Sequence, residues 1–150
     1  MKKSLTPPVM HLVLNPQQFD VIVCTNVFGD LLSDLTAGLV GGLGLMPGAN
    51  IGAAAALFEA VHGSVPDLSG KNLAHPAAVI MAGVIMLNHL GEFDAAKRIK
   101  QAIEEVVKEG KQVIPDLNPH AKIGTVEMGN AIVDAMEFTH ELTIKQVLVR

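Results

Sequence analysis

Between Leu35 and Phe58 the chain carries no charged side chain, yet Gly38, Gly41, Gly42, Gly44, Pro47, Gly48, Asn50 and Gly52 interrupt it. So long an uncharged stretch must be covered by protein or by lipid. The glycines and the proline decide between these, because a lipid-facing helix of about 20 continuous residues does not suit them. No membrane span is expected. The segment predicts instead a glycine-rich packing loop over residues 41–52, then an apolar run to Phe58 that stops at Glu59. With 49% hydrophobic and 17% charged residues among 150, the chain can bury one sizeable core, which argues against disorder.

The net charge of -4 and the absence of Trp and Tyr exclude nucleic-acid binding, since there is neither a basic footprint nor an aromatic platform for bases. Cys24 is the single cysteine and sits in an apolar run. It can build no disulfide framework or thiolate cluster, reads as a small buried hydrophobe, and fits a reducing compartment. The opening Met1-Lys2-Lys3-Ser4-Leu5-Thr6-Pro7-Pro8 has too little hydrophobic length for a secretory signal.

Residues 19–24, Phe-Asp-Val-Ile-Val-Cys, follow the turn-forming Asn15-Pro16 and suit a buried strand of a parallel or mixed sheet that ends at Thr25-Asn26. From about Asp30, Leu31, Leu32, Leu35 and Leu39 recur at helical spacing. Residues 77–87 carry hardly a polar atom and predict a helix covered on nearly all sides, by this chain or by a partner. Ala95, Ala96, Ile99, Ala102, Ile103, Val106 and Val107 form one stripe opposed by Lys97, Lys100, Gln101, Glu104, Glu105 and Lys108, with Gly110 as the stop signal. A last helix, capped by Thr125, carries Met128, Ile132, Val133 and Met136. Helices packed on a partial mixed sheet make the fold class α/β, with two or three strands, too few for a self-sufficient doubly wound sheet.

Asp30 and Asp34 stand one helical turn apart, off the leucine stripe. Two like charges so placed repel by a few tenths of a kcal/mol, a cost that a hard divalent cation such as Mg²⁺ or Mn²⁺ would remove. They can equally be solvated charges, with Asp30 favoured near the positive helix N-terminus. His62-Gly63-Ser64 supplies a ring, a close-approach glycine and exposed amides, able to hold phosphate or adenosine, or merely a solvated turn. The glycines of residues 41–52 match neither the dinucleotide fingerprint nor the P-loop. His11, His89 and His140 stand singly and are expected at a solvent edge, and no serine-centred nucleophile motif occurs.

Read in order, Phe19-Asp20-Val21-Ile22-Val23, Asn26-Val27-Phe28-Gly29-Asp30-Leu31-Leu32-Ser33-Asp34, Gly41-Gly42-Leu43-Gly44, Pro47-Gly48-Ala49-Asn50-Ile51-Gly52, Phe58-Glu59-Ala60-Val61-His62-Gly63-Ser64-Val65-Pro66-Asp67 and Gly70-Lys71-Asn72-Leu73-Ala74 resemble the isocitrate/isopropylmalate dehydrogenase family. The resemblance runs over residues 9–138 and implies the C-terminal part of that fold, with residues 1–8 outside the family pattern, the dehydrogenase portion at 9–140 and a tail at 141–150. It implies that Asp30 and Asp34 bind Mg²⁺ or Mn²⁺ where the metal meets the substrate's hydroxyl and carboxylate, and that Asn26, Glu59, His62, Gly63, Ser64, Asp67 and His75 line the cofactor site. Asp67 stands where NADP-dependent members carry a basic residue, so the cofactor implied is NAD, whose free ribose hydroxyls a carboxylate accepts. The chemistry implied is hydride transfer followed by loss of CO₂, and residues 47–52 look closer to isocitrate than to isopropylmalate members.

Three departures accompany the resemblance. Thr6 stands in place of a further metal-binding aspartate, His75 before Pro76 replaces an asparagine that reads adenine, and Asp116-Leu117-Asn118-Pro119 replaces a more glycine-rich turn. The family's substrate-binding arginines and its proton-transferring tyrosine and lysine belong to an earlier half, so no catalytic residue is assigned here and the chain alone is expected to be inactive, as a truncated product would be. The alternatives are a non-catalytic subunit pairing with an intact homologue, and a relative acting on 3-isopropylmalate. Partners implied are isocitrate and homologous subunits, in a homo- or hetero-oligomer. The compartment expected is the mitochondrial matrix or the bacterial cytoplasm.

Overall fold

A computed structural model describes the backbone of residues 6–148 and the side chains of residues 9–137. The chain divides into two compact units, Met1–Leu43 and Gly44–Arg150. The side chains of Thr6 and His140, and the tail expected at 141–150, lie outside the residues described at side-chain level.

In the first unit, helix α1 (Thr6–Leu14) ends ahead of Pro16, whose ring disfavours helical geometry for Asn15, and a 3-10 turn, Pro16–Gln18, follows. Residues 19–25 then run without sheet pairing. The strand expected at 19–24 is therefore absent, and Val23 is 93% exposed. A strand exists only when neighbouring chain satisfies its N–H and C=O groups, and among the described residues none pairs with this segment. Cys24, expected to be buried, is exposed for the same reason. Helix α2 (Asn26–Leu39) starts four residues before the leucine spacing suggests, because Thr25 in extended geometry accepts the Gly29 N–H at 2.9 Å. α1 packs against α2. Leu12 and Leu32 are buried, whereas Leu31 and Leu39 stay exposed, so only part of the leucine stripe is used.

In the second unit, β1 (Pro47–Ile51) and β2 (Ala56–Ala60) pair antiparallel, with Pro47 opposite Ala60 and Ile51 opposite Ala56. The loop expected over 41–52 contains a strand, and the two strands among the described residues pair antiparallel. A four-residue link, closed by the Gly52 N–H on the Ala55 carbonyl at 2.9 Å, can join only antiparallel strands, since a parallel pair needs a crossover of a dozen or more residues. At Gly48 a Cβ would lie 3.3 Å from Val61 Cγ2, a tight contact to which the exposed Val61 side chain would have to yield. α3 (Ala77–His89) packs on both strands and on α4 (Phe93–Glu109). It buries Ala77, Ala78, Ala82 and Val84, but Val79 is 59% exposed, so the described residues do not give the expected cover on nearly all sides.

α4 follows its sequence stripe, burying Ala96, Ala102, Ile103 and Val106. Asp94 in its first turn and Lys108 in its last complement the helix dipole. Gly110, at φ 67°, ends it with its N–H on the Val106 carbonyl, a left-handed cap that glycine adopts without steric cost. α4 packs against α5 (Thr125–Leu148), and between them lies the core: Ala102, Ile103, Val106, Val113, Ile114, Met128, Ala131 and Ile132.

Thr125 does not cap α5 as expected, because its hydroxyl donates to the Ala74 carbonyl instead. The Gly124 N–H donates to Glu127 Oε2 at 2.9 Å, while the Val126 N–H is taken by Asn72 Oδ1 at 2.9 Å, from a loop far away in sequence. A cap needs an acceptor in reach of the first free amides, not necessarily the preceding side chain.

Candidate functional site

Asp30 and Asp34 both lie on α2 with their side chains exposed, in line with the four-residue spacing. Asp30 is held by Asn26, whose Nδ2 donates to Asp30 Oδ2 at 3.1 Å. Because α2 begins at Asn26, Asp30 falls in its second turn and the first turn contains no acidic residue. The dipole benefit expected for Asp30 is thereby lost, since it fades within the first turn. What remains is a carboxylate pair facing water, with no ion-pair partner among the described residues. Two carboxylates suit Mg²⁺ or Mn²⁺, which keep most of an octahedral shell for water and substrate oxygens. Among the described residues no cluster of three or more His, Cys, Asp or Glu side chains could hold a metal.

The expected cofactor residues, Asn26 apart, lie in the second unit. Glu59 stands on the outer face of β2 and accepts a hydrogen bond from Asn50 Nδ2 at 3.1 Å. The register makes Asn50 and Glu59 diagonal neighbours on one face, which fixes the carboxylate's direction. His62 is half-buried, its Nδ1 3.0 Å from the Gly63 carbonyl oxygen, a bond in which the ring must donate. A side chain at Gly63 would meet no other atom of the described residues within 4 Å, so the space beside it is open. Ser64 and Asp67 are exposed, Asp67 in the 3-10 turn Pro66–Leu68. Val65 ahead of that turn has φ 38°, strained for a β-branched residue. The open glycine, the polar groups and the free carboxylate fit the ribose and phosphates of a dinucleotide.

His75 differs from the rest because it is buried, at 7% exposure. Its Nδ1 accepts the Ala77 N–H at 3.1 Å, satisfying a free amide at the start of α3. That bond places the neutral ring's proton on Nε2, which has no partner among the described residues. Gly44 is tied to this ring, since a Cβ there would come within 2.9 Å of His75 Cβ. Burial lowers the His75 pKa, and the Asp116 carboxylate opposes this more weakly. The sign follows from linkage. With the folded value below the ordinary value of about 6.5, the unfolded chain binds the extra proton first, so the contribution is complete above about pH 6.5 and is lost as pH falls through the folded value. Urea midpoints measured from pH 7.5 down to 5 should show this loss, and His75→Asn should shrink it. Equal slopes in the two proteins would mean that His75 is not the group responsible.

The sequence alone does not mark Asn72 and Glu127, which join the loop of residues 62–75 to α5. Glu127 leaves one local trace: a glycine followed three residues later by Glu127 has the spacing of a capping box. Asn72 supplies what that glycine cannot, and nothing local in the sequence announces it.

Comparisons with known proteins bear on what these residues serve. Residues 6–132 match the profile of the isocitrate/isopropylmalate dehydrogenase family. The chain is 48% identical to the 3-isopropylmalate dehydrogenase of Archaeoglobus fulgidus over 128 residues, which is 85% of this chain and 38% of that protein. It is 50% identical to the NAD isocitrate dehydrogenase subunit alpha, mitochondrial, of Homo sapiens over 114 residues, 75% of this chain and 31% of that one. Among solved structures, isocitrate dehydrogenase from Methylococcus capsulatus superposes with a TM-score of 0.83 at 56% identity, covering 87% of this chain and 39% of the other. The chain thus spans less than two-fifths of the relatives it matches.

Proposed function

Since this chain belongs to the isocitrate/isopropylmalate dehydrogenase family, we propose that it is the cation- and dinucleotide-holding part of an NAD-dependent enzyme converting isocitrate to 2-oxoglutarate and CO₂. The observation that supports this best is the pair Asp30 and Asp34, exposed one turn apart on α2 and embedded in the family's ordered motifs. These two residues would hold Mg²⁺ or Mn²⁺, with Asn26 fixing the direction of Asp30. A bound cation supplies Lewis-acid stabilisation of the negative charge that develops as CO₂ departs. Glu59, His62, Gly63 and Ser64 bind the dinucleotide, and His75 closes the same loop from its buried position at the start of α3. Asp67 accepts the ribose hydroxyls and repels a 2′-phosphate, which favours NAD over NADP.

The isolated chain does not complete the reaction in this proposal. A tricarboxylate needs a cationic clamp, and the only arginines in the sequence, the side chains that grip carboxylates bidentately, are Arg98, exposed on α4, and Arg150. Proton transfer and substrate clamping fall to residues outside this stretch, and the working form is a homo- or hetero-oligomer of homologous subunits, in a reducing compartment such as the mitochondrial matrix or the bacterial cytoplasm. The exposed apolar side chains of α3, Val79 and Met86, suit a subunit contact, and a non-catalytic subunit remains the competing class. The Archaeoglobus relative favours a second substrate reading, 3-isopropylmalate.

The test is NAD reduction by the purified 150-residue chain with isocitrate and Mn²⁺, together with calorimetric NAD binding. We expect binding without turnover. Turnover by the chain alone would overturn the missing-clamp proposal, and absence of NAD binding would remove the dinucleotide assignment. The substrate is decided by comparing isocitrate and 3-isopropylmalate on the chain assembled with an intact homologue.

A further inference from the structure

The loop that the proposed function assigns to the dinucleotide runs from His62 to His75 and leads directly into α3. Its first end leaves β2. Its far end is fastened to the start of α5 chiefly by Asn72, whose backbone sits at φ 57°, a left-handed conformation asparagine tolerates. The Asn72 carbonyl accepts the Thr125 N–H at 3.0 Å, its Oδ1 accepts the Val126 N–H at 2.9 Å, and its Nδ2 donates to Glu127 Oε2 at 2.8 Å. Two residues on, the Ala74 carbonyl accepts the Thr125 hydroxyl. A Cβ on Gly124 would run into Asn72, so the two segments meet with no clearance. The α5 side of this junction is anchored by Met128, which is fully buried in the α4–α5 core.

Resting on the dinucleotide reading, we propose that Asn72 is a positioning residue: it touches no ligand, but clamps the His62–His75 loop to the rigid start of α5 and so fixes Asp67 and His75 for the cofactor. An ordinary helix cap would need one acceptor. Asn72 commits backbone oxygen, side-chain oxygen and side-chain nitrogen to three successive residues, which sets direction as well as satisfying amides. The strained Val65 sharpens the need, because a backbone outlier persists only where its surroundings over-determine it.

The test uses the full 150-residue chain. Asn72→Asp keeps the acceptor for Val126 but sets a carboxylate against Glu127, and Asn72→Asp with Glu127→Gln restores a donor across the pair. Amide hydrogen exchange without ligand should speed up about tenfold over residues 62–75 in the single variant, with NAD affinity falling about tenfold, the scale of a lost charge-assisted hydrogen bond. The double variant should recover both. Ile132→Val, a pure stability control in the core, should lower stability and change neither. Loop exchange unchanged in Asn72→Asp, or a double variant no better than the single, overturns the clamp. If Asn72→Asp does not fold, Glu127→Ala serves, with a smaller change of the same sign expected and no change again overturning the proposal. Failure of the unmodified chain to bind NAD removes the dinucleotide reading, while the exchange measurement still decides the clamp.

Discussion

Replacing Met128 by alanine is expected to cost the second unit about 3 kcal/mol, within the range of roughly 2–5 kcal/mol seen when a buried methionine or leucine is truncated. Met128 is fully buried and stands one turn ahead of Ile132 on the α5 face that packs against Ala102, Ile103 and Val106 of α4. The truncation removes the transfer energy of the side chain and leaves a cavity that Ile114, Val113 and Ile132, all fully packed, cannot close without shifting backbone. Val107→Ala, on the exposed edge of the same α4 helix, should cost less than about 1 kcal/mol. Urea denaturation of both variants checks the pair. Equal losses would mean that the α4–α5 contact is not the core of this unit.

The second large effect concerns the carboxylate pair. If Asp30 and Asp34 hold a divalent cation, saturating Mn²⁺ at about 100 times its dissociation constant should stabilise the protein by about 2.7 kcal/mol, as any ligand bound only by the folded state does. Asp30→Asn with Asp34→Asn should abolish that gain. In metal-free buffer the same variant should be slightly more stable than the original, by a few tenths of a kcal/mol, because the like-charge repulsion at i and i+4 is gone. This reversal of sign between metal-free and metal-loaded conditions separates a metal site from a generally damaged helix. Thermal unfolding with and without Mn²⁺ measures it. The same Mn²⁺ response in both proteins would leave the two aspartates as solvated helix charges.

Where periodicity is strong and partners are near in sequence, the chain is legible. α4 could be read almost residue by residue, because a 3.6-residue stripe and a following glycine act within one helix. The four-residue spacing of Asp30 and Asp34 likewise follows from helical geometry once the helix is granted. Residues 19–24 show the opposite case. A β-branched run states a preference for extended backbone, but a strand also needs a neighbour, and that information is not in the run itself. Residues 47–51 misled in the other direction, since Gly48 and Pro47 suggest a loop, while pairing with residues 56–60 makes a strand of them.

His75 and Asn72 mark the boundary between sequence and tertiary structure. The sequence by itself determined helices α2 to α5 and the ordered motifs that carry the family resemblance, because these depend on residue type and short spacing alone. Only the tertiary structure decided that His75 is buried and caps α3 through Nδ1, that Glu59 is oriented by Asn50, and that α5 is capped by Asn72. Each of these rests on a hydrogen bond whose geometry is fixed by packing, and for Glu59 and α5 the partner comes from a separate element. Hydrogen bonds act over about 3 Å in space whatever the separation along the chain.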